Sequence, residues 1–457
     1  RAGHPRDGLD IADAELAAID ETLLPGLVAE ILTVRGLLLK QEGDAVQAER
    51  VLAQAYWRAR EQDDGASMLR SATQLGQVVG WDQARVDEGL EWVRHAEAAR
   101  ARAETDATAE AALLDVHGSV LRRGGRYDEA RGVLERARDL WAQQGQHDLR
   151  YASALNNLAG LELTVGRVDA AGEGYARALE IQRGVLGDDH PALASTFGGI
   201  GISHYTKGEY AAARAPLERA VALREATLGR DHPLLAVSLN NLGIDLLRLG
   251  EYDASIATHE RALAIRERAL DDDHPDLAES LNNLGVALLE LDRFAEAETY
   301  FARCVAIDER RLGPEHPSLV GPLNNVGIVL RGLGRPEDAE RWHRRALAIA
   351  ERGLGEGHVA TANASLGVAE TLVARQRWSE AEPLLARALA IYAKNDGELS
   401  NRAETLFAIA RVHWGLRPDV PLAVAEANAS LAAFEQVGPN GDDGRAAVRT
   451  WLRERVR

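Results

Sequence analysis

The chain has 457 residues and a formal net charge of −18, with 27% charged, 46% hydrophobic and only 5% aromatic residues. Nothing in it supplies the clustered Lys and Arg that release counterions from a phosphate backbone, so nucleic acid and anionic membrane are disfavoured as partners; the negative charge reads first as a solvated surface and second as room for a basic or neutral peptide. The single cysteine, Cys304, rules out an intrachain disulfide and fits a reducing cytoplasm, and no run approaches the ~18 consecutive apolar residues of a membrane span.

In chain order, residues 1–24 read as an N-terminal arm and capping helix. Three divergent helical hairpins follow over 25–148, marked by Gly36, Gly43 and Ala48 with a helix to Arg60, then by Ala72, Gly80 and Trp81, then by Gly118, Gly125 and Tyr127. From 149 to 397 the text becomes periodic: His190, His232, His274, His316 and His358 recur every 42 residues. The stretch from His232 serves as the reference unit. Its first helix is predicted to start at Pro233, with Asp231 at the positive end of the helix dipole, and Leu235, Leu239, Leu242 and Leu246 form one apolar stripe. Gly250 stops that helix and Glu251 and Tyr252 open the turn into the second.

The slots repeat in phase through six units. A small residue, Ala159, Gly201, Gly243, Gly285, Gly327 or Ala369, lets the two helices of a hairpin approach closely. The second helices carry small residues at Ala171, Ala213, Ser255, Ala297, Ala339 and Ala381, and again at Ala178, Ala220, Ala262, Cys304, Ala346 and Ala388. A degenerate repeat and a capping helix, Arg445 to Arg457, fill 398–457 after a Gly438–Gly444 loop. Fixed self-similarity of this length predicts an all-α solenoid in which each hairpin buries its apolar face only against its neighbours.

Small–large alternation at these offsets resembles the tetratricopeptide repeat, and the 42-residue form with His-Pro and Leu-Asn-Asn-Leu resembles the kinesin light chain type, most strongly over residues 150–395. The early text from Gly76 to Ala98, and the closing Trp451-Leu452-Arg453, are similar to the C-terminal tetratricopeptide regions of bacterial eukaryotic-like serine/threonine kinases. The resemblance implies a right-handed superhelix of about ten hairpins plus end-capping helices, with a concave groove lined by the first helices. It also admits an upstream effector domain in the same polypeptide.

No kinase, P-loop or zinc-helix motif is present, so no catalytic residue, metal ligand or cofactor is expected. The His row cannot share one metal, because neighbouring hairpins stand at least an interhelical distance of about 8–10 Å apart; each His is expected to cap a turn beside its Pro. The Gly198-Gly199-Ile200-Gly201 cluster reads as a locally thinned helix and Cys304 as a buried small residue. For binding, the resemblance points to the residue three before the small slot, Asn156, Asn240, Asn282 and Asn324, whose carboxamides suit an extended peptide backbone if they face the groove and hold hairpin to hairpin if they do not. The second Asn of each pair, Asn157, Asn241, Asn283 or Asn325, is expected to bond to a neighbouring helix. Further groove positions are Tyr205, Ile244, Leu247, Arg248 and Arg331. Arg248 and Arg331 would favour an acidic ligand group, whereas Glu279 and Glu290 would favour a basic one, so the preference stays open. The function expected is a non-enzymatic module that binds a protein or peptide in the groove, such as the regulatory region of a signalling kinase; the alternative is a scaffold that self-associates through its ends or convex face.

Overall fold

The structure is a computed structural model that describes residues 5–19, 25–103, 107–145, 148–395, 399–416, 420–437 and 441–455. The expected arm residues 1–4 and 20–24, most of the loop before the last helix (438–440) and the final pair 456–457 lie outside these. Among the described residues there are 22 α-helices and no strand. After α1 (Pro5–Ala18) come α2 (Pro25–Gln41) with α3 (Ala45–Glu61), α4 (Gly65–Leu75), extended by a π-helical segment Gly76–Asp82, with α5 (Val86–Arg100), and α6 (Ala107–Arg123) with α7 (Tyr127–Gln144). The periodic hairpins are α8 (Leu149–Thr164) and α9 (Val168–Leu186), α10 (Leu193–Thr206) and α11 (Tyr210–Leu228), α12 (Pro233–Arg248) and α13 (Tyr252–Ala269), α14 (Pro275–Leu289) and α15 (Phe294–Leu312), α16 (Val320–Gly332) and α17 (Pro336–Gly353), and α18 (Val359–Ala374) and α19 (Trp378–Tyr392). A hairpin of α20 (Leu399–Leu416) and α21 (Val420–Val437) precedes α22 (Asp442–Arg455). The helices divide into two compact units, Arg1–Leu249 with Glu260–His274, and Gly250–His259 with Pro275–Arg457.

The hairpin turn follows from backbone chemistry. After α8, Gly166 takes φ +80°, its N–H bonds the Leu163 carbonyl at 3.1 Å, and the Arg167 N–H bonds the Glu162 carbonyl at 2.8 Å. This is the Schellman arrangement, which satisfies two carbonyls the helix end would otherwise leave open. In two hairpins of the second unit the same slot is held by Asp292 and Gln376, which accept the left-handed conformation at φ 53° and 58°.

Small-against-large packing then closes each hairpin. All twelve small slots of the second helices are at most 1% exposed, with Cys304 among them. A Cβ added at Gly118 or Gly201 would run into Leu134 or Leu217 in the first unit, and one at Gly285 or Gly327 would run into Phe301 or His343 in the second. Those close approaches are why only glycine fits the first-helix slot there. The Gly198–Gly201 cluster lies inside an unbroken α10, where a side chain at Gly199 would strike the Tyr175 ring.

Four of the five histidines of the row cap a turn or helix start, as expected. Nδ1 of His190, His232, His316 and His358 accepts the N–H of the residue two further on, at 3.1–3.2 Å. In the first unit the row does something further. His232 Nε2–H donates to the Gln41 carbonyl at 2.8 Å and His274 Nε2–H to the Asp82 carbonyl at 3.1 Å, across 191 and 192 residues. Gln41 ends α2 and Asp82 ends the π-helical segment, so each bond satisfies a carbonyl left over at a helix terminus. Gly43, at φ +87°, brings the α2–α3 turn against Pro233, where a Cβ would sit 2.8 Å from the proline Cδ. The first unit is thus tied to itself at two rungs of the repeat.

Two details differ from the reference unit. Pro191 stands outside α10, which starts at Leu193, and Pro317 opens a 3-10 turn, Pro317–Leu319, ahead of α16. The last helix begins at Asp442, three residues before the expected Arg445.

Candidate functional site

First helices of successive hairpins pack side by side, α6 with α8, α8 with α10 and α10 with α12 in the first unit, α16 with α18 and α18 with α20 in the second. Among the described residues, second helices show no comparable pairing. The first helices therefore line the inside of each unit's curve, and their inward side chains are the candidate site.

In the first unit that face has a half-buried apolar floor of Leu163, Ile202, Ile244 and Leu247. Tyr205 and Arg248, from consecutive first helices, meet there, with Arg248 Nε donating to the Tyr205 hydroxyl at 3.2 Å. The Tyr205 ring also lies 5.3 Å from that of Tyr210. Asn156 turns toward the next hairpin, its Nδ2 donating at 2.7 Å to Thr196, which in turn donates to Gln182 at 2.7 Å. Asn240 is only 1% exposed and so belongs to the packing between helices.

In the second unit Asn282 accepts from Asn325 Nδ2 at 3.1 Å, and Asn324 Oδ1 accepts from His343 Nδ1–H at 2.8 Å. His343 is fully buried, and that burial, helped by the Arg331 charge, pushes its pKa down to about 3, so the ring stays neutral. Arg331 pairs with Glu370 at 2.7 Å on the inner face. Near them, burial raises the Glu404 carboxyl above the usual range, with Glu370 and Glu290 adding to the shift and Arg331 opposing it. This inner face is crowded with carboxylates, whereas the first unit's is aromatic and basic.

Two of the second Asn residues, Asn157 and Asn325, reach the preceding hairpin, whereas Asn283 Nδ2 is buried with no hydrogen-bond partner among the described residues. Asn157 donates to Asp115 at 3.3 Å, beside the 2.7 Å bond from Trp141 Nε1 to the same carboxylate. Burial lifts Asp115 to about 6 against both hydrogen bonds. Asn156, Asn282 and Asn324 therefore bond to neighbouring helices and Asn240 is buried, whereas Tyr205, Ile244 and Leu247 are half-buried and Arg248 is exposed.

Sequence reasoning missed Trp81, Arg122, Glu370 and Glu404. Counting four past Gly118 would have placed Arg122 in the slot of Leu163 and Tyr205, but the step from Gly118 to Ala159 is one short of the 42-residue period. Glu370 stands one past Ala369, in the slot of Ile328.

The family profile of the tetratricopeptide repeat matches residues 108–173, 150–226, 208–267, 234–310, 281–352 and 318–394. The chain belongs to the tetratricopeptide repeat family. Such repeats are protein–protein interaction modules. Among solved structures, the chain is similar to the Podosopora anserina kinesin light chain nearly identical TPR-like repeats, at 24% identity and a TM-score of 0.40 over 45% of this chain and 98% of that one. A single-residue variant of that protein gives 23% identity and a TM-score of 0.40 over 46% and 97% of the two chains. BtubC (BKLC) from P. vanneervenii gives 22% and 0.39 over 50% and 91%. A search of the curated proteins finds no match. No described helix of this tetratricopeptide protein is long and apolar enough to cross a membrane. No group of three or more His, Cys, Asp or Glu among the described residues could hold a metal ion.

Proposed function

We propose that the protein is a non-enzymatic interaction module that holds a peptide or partner helix against the inner faces of its first helices. The carrying observation is the Tyr205–Arg248 pair standing over the half-buried Ile244 and Leu247, polar rungs above an apolar floor. An aromatic and an Arg on such a floor are the residue types that anchor bound chains. Of the asparagine row, Asn156 and Asn282 contribute by holding neighbouring first helices in register, Asn240 by its burial and Asn324 by closing its own hairpin through His343, and Arg331 answers an acidic group on the ligand only by exchanging Glu370 for it.

The test is capture of partners from a lysate by the intact chain and by the double variant Tyr205→Ala, Arg248→Ala, both verified as folded by circular dichroism. Partners held by the parent and lost by the variant support the reading; identical partners and affinities remove it. The resemblance read in the sequence from Gly76 to Ala98 and at Trp451-Leu452-Arg453 is the ground for proposing a regulatory role in a larger signalling protein, which the complete reading frame would test.

A second reading, self-association through an end, draws on apolar side chains in the first three helices: Ile11, Leu27, Val34 and Trp57 are 63%, 41%, 52% and 45% exposed. A concentration-dependent sedimentation coefficient, abolished by Ile11→Lys with Val34→Lys, would favour it.

A further inference from the structure

On the inner face of the first unit, the Arg122 guanidinium lies 4.8 Å above the Trp81 ring, and Arg123 lies 5.3 Å from the same ring. Stacking on an aromatic face fixes the guanidinium plane and leaves its edge donors directed outward. Among the described residues nothing accepts them: no hydrogen bond or ion pair holds Arg122, and the charged or titratable groups that face it are Tyr175, Arg123 and Tyr127, with no carboxylate. The other arginines of these faces are engaged, Arg248 with Tyr205 and Arg331 with Glu370.

The cradle beside Arg122 is specific to this unit. Where the other repeats carry Ile202, Ile244, Val286, Ile328 or Glu370 one past the small slot, this repeat has Gly160, and a Cβ there would collide with Arg122 Nη1. The Tyr175 hydroxyl lies 3.4 Å from that same point. Its ring is admitted by Gly199, at which any side chain would strike it, and it is 7% exposed. Among the described residues no hydrogen-bond partner occupies the phenol either, so two strong donors converge on the space over Gly160. Burial lowers the Arg122 pKa without any carboxylate opposing it, yet the group stays charged at neutral pH.

We infer that Arg122 and the Tyr175 hydroxyl, walled by Trp81 and floored by Gly160, form a subsite for one carboxylate side chain of an acidic peptide bound to the first unit. One unpaired guanidinium balances a single negative charge, and its planar fork matches the two oxygens of a carboxylate. A phosphate dianion would call for a second unpaired cation. The inference rests on the peptide-binding reading and names the chemistry that one of its positions takes.

The test titrates the full chain against three fluorescently labelled peptides of alternating sequence, Glu-Ala, Gln-Ala and phosphoserine-Ala, read by anisotropy at low and physiological salt. The Glu-Ala peptide is expected to bind at least tenfold more tightly than Gln-Ala. That advantage should vanish in Arg122→Gln and in Gly160→Ala, which fills the cradle without changing charge, fall severalfold in Tyr175→Phe, and survive Arg248→Gln. Arg122→Lys, if folded, should keep only part of it. Equal binding of Glu-Ala and Gln-Ala overturns the subsite and leaves peptide binding standing, as does a Glu advantage that persists in folded Arg122→Gln. A tenfold preference for phosphoserine-Ala overturns the assignment to carboxylate. Failure of all three peptides to bind overturns the subsite together with the reading beneath it.

Discussion

The two units are written in one repeat and use the same slots differently. In the first, His190 and His232 cap a helix or its approach, His232 and His274 reach carbonyls 191 and 192 residues upstream, and the inner face presents Trp81, Arg122, Tyr205 and Arg248. In the second, His316 and His358 cap the starts of their helices, and the inner face gathers Glu370 and Glu404 around Arg331. The repeat thus specifies a hairpin and its stacking, and leaves the surface toward a ligand free to diverge.

The sharpest break of the comparison lies in the large residue that faces the small slot, Leu217 in the first unit and Phe301 in the second, both fully buried. Phe301→Ala should cost about 3–5 kcal/mol and Leu217→Ala about 2–5 kcal/mol, read by chemical denaturation. If the units unfold independently, each variant will shift one transition and leave the other in place.

The second concerns acid. His343 occupies the same slot as those residues and its folded pKa is depressed to about 3. A proton therefore binds the unfolded chain more readily, and the second unit should be fully stabilised above the ordinary His range and lose about 1.4 kcal/mol per pH unit as pH falls below about 6.5. The variant His343→Phe, which copies Phe301, should flatten that slope. An unchanged slope would place the acid sensitivity elsewhere.

The third separates the two uses of the histidine row. His358→Ala should cost about 1 kcal/mol as a lost helix cap. His232→Ala should cost roughly 2–3 kcal/mol, because it also leaves the Gln41 carbonyl without its donor. Its folded pKa is lowered by burial, so the unfolded chain takes the proton first and the total cost of His232→Ala should shrink as pH falls below the His range, where protonation of Nδ1 already removes the cap. Equal costs would mean the long-range bond adds nothing. The smallest effect is expected at Gln376, where Gln376→Gly relieves a left-handed side chain and should gain about 0.5–1 kcal/mol, against no gain at Gly166, which is already glycine.

Much of this architecture was legible because a solenoid hairpin is specified locally. Small residues at Ala171, Ala213 and their successors had to be buried wherever two helices close at short distance, and they are. His-Pro had to punctuate the start of a helix, and Nδ1 of His232 and of His316 does so. The binding face was less legible. Asn156 and Asn324 carry groups that suit a peptide backbone or a neighbouring helix equally well, and only the positions of Thr196 and His343 decided between them. Arg122 escaped notice because one missing residue shifts its hairpin out of phase, and because its cradle depends on what is absent at Gly160.

The sequence by itself determined the hairpin, its turn chemistry, its small–large packing and the all-α stacking, since each depends on neighbours within about one repeat. Only the tertiary structure decided which rungs meet across the first unit and which charges face inward on each unit. Those outcomes depend on curvature, a small rotation per repeat accumulated over several repeats, and no single 42-residue unit encodes that sum.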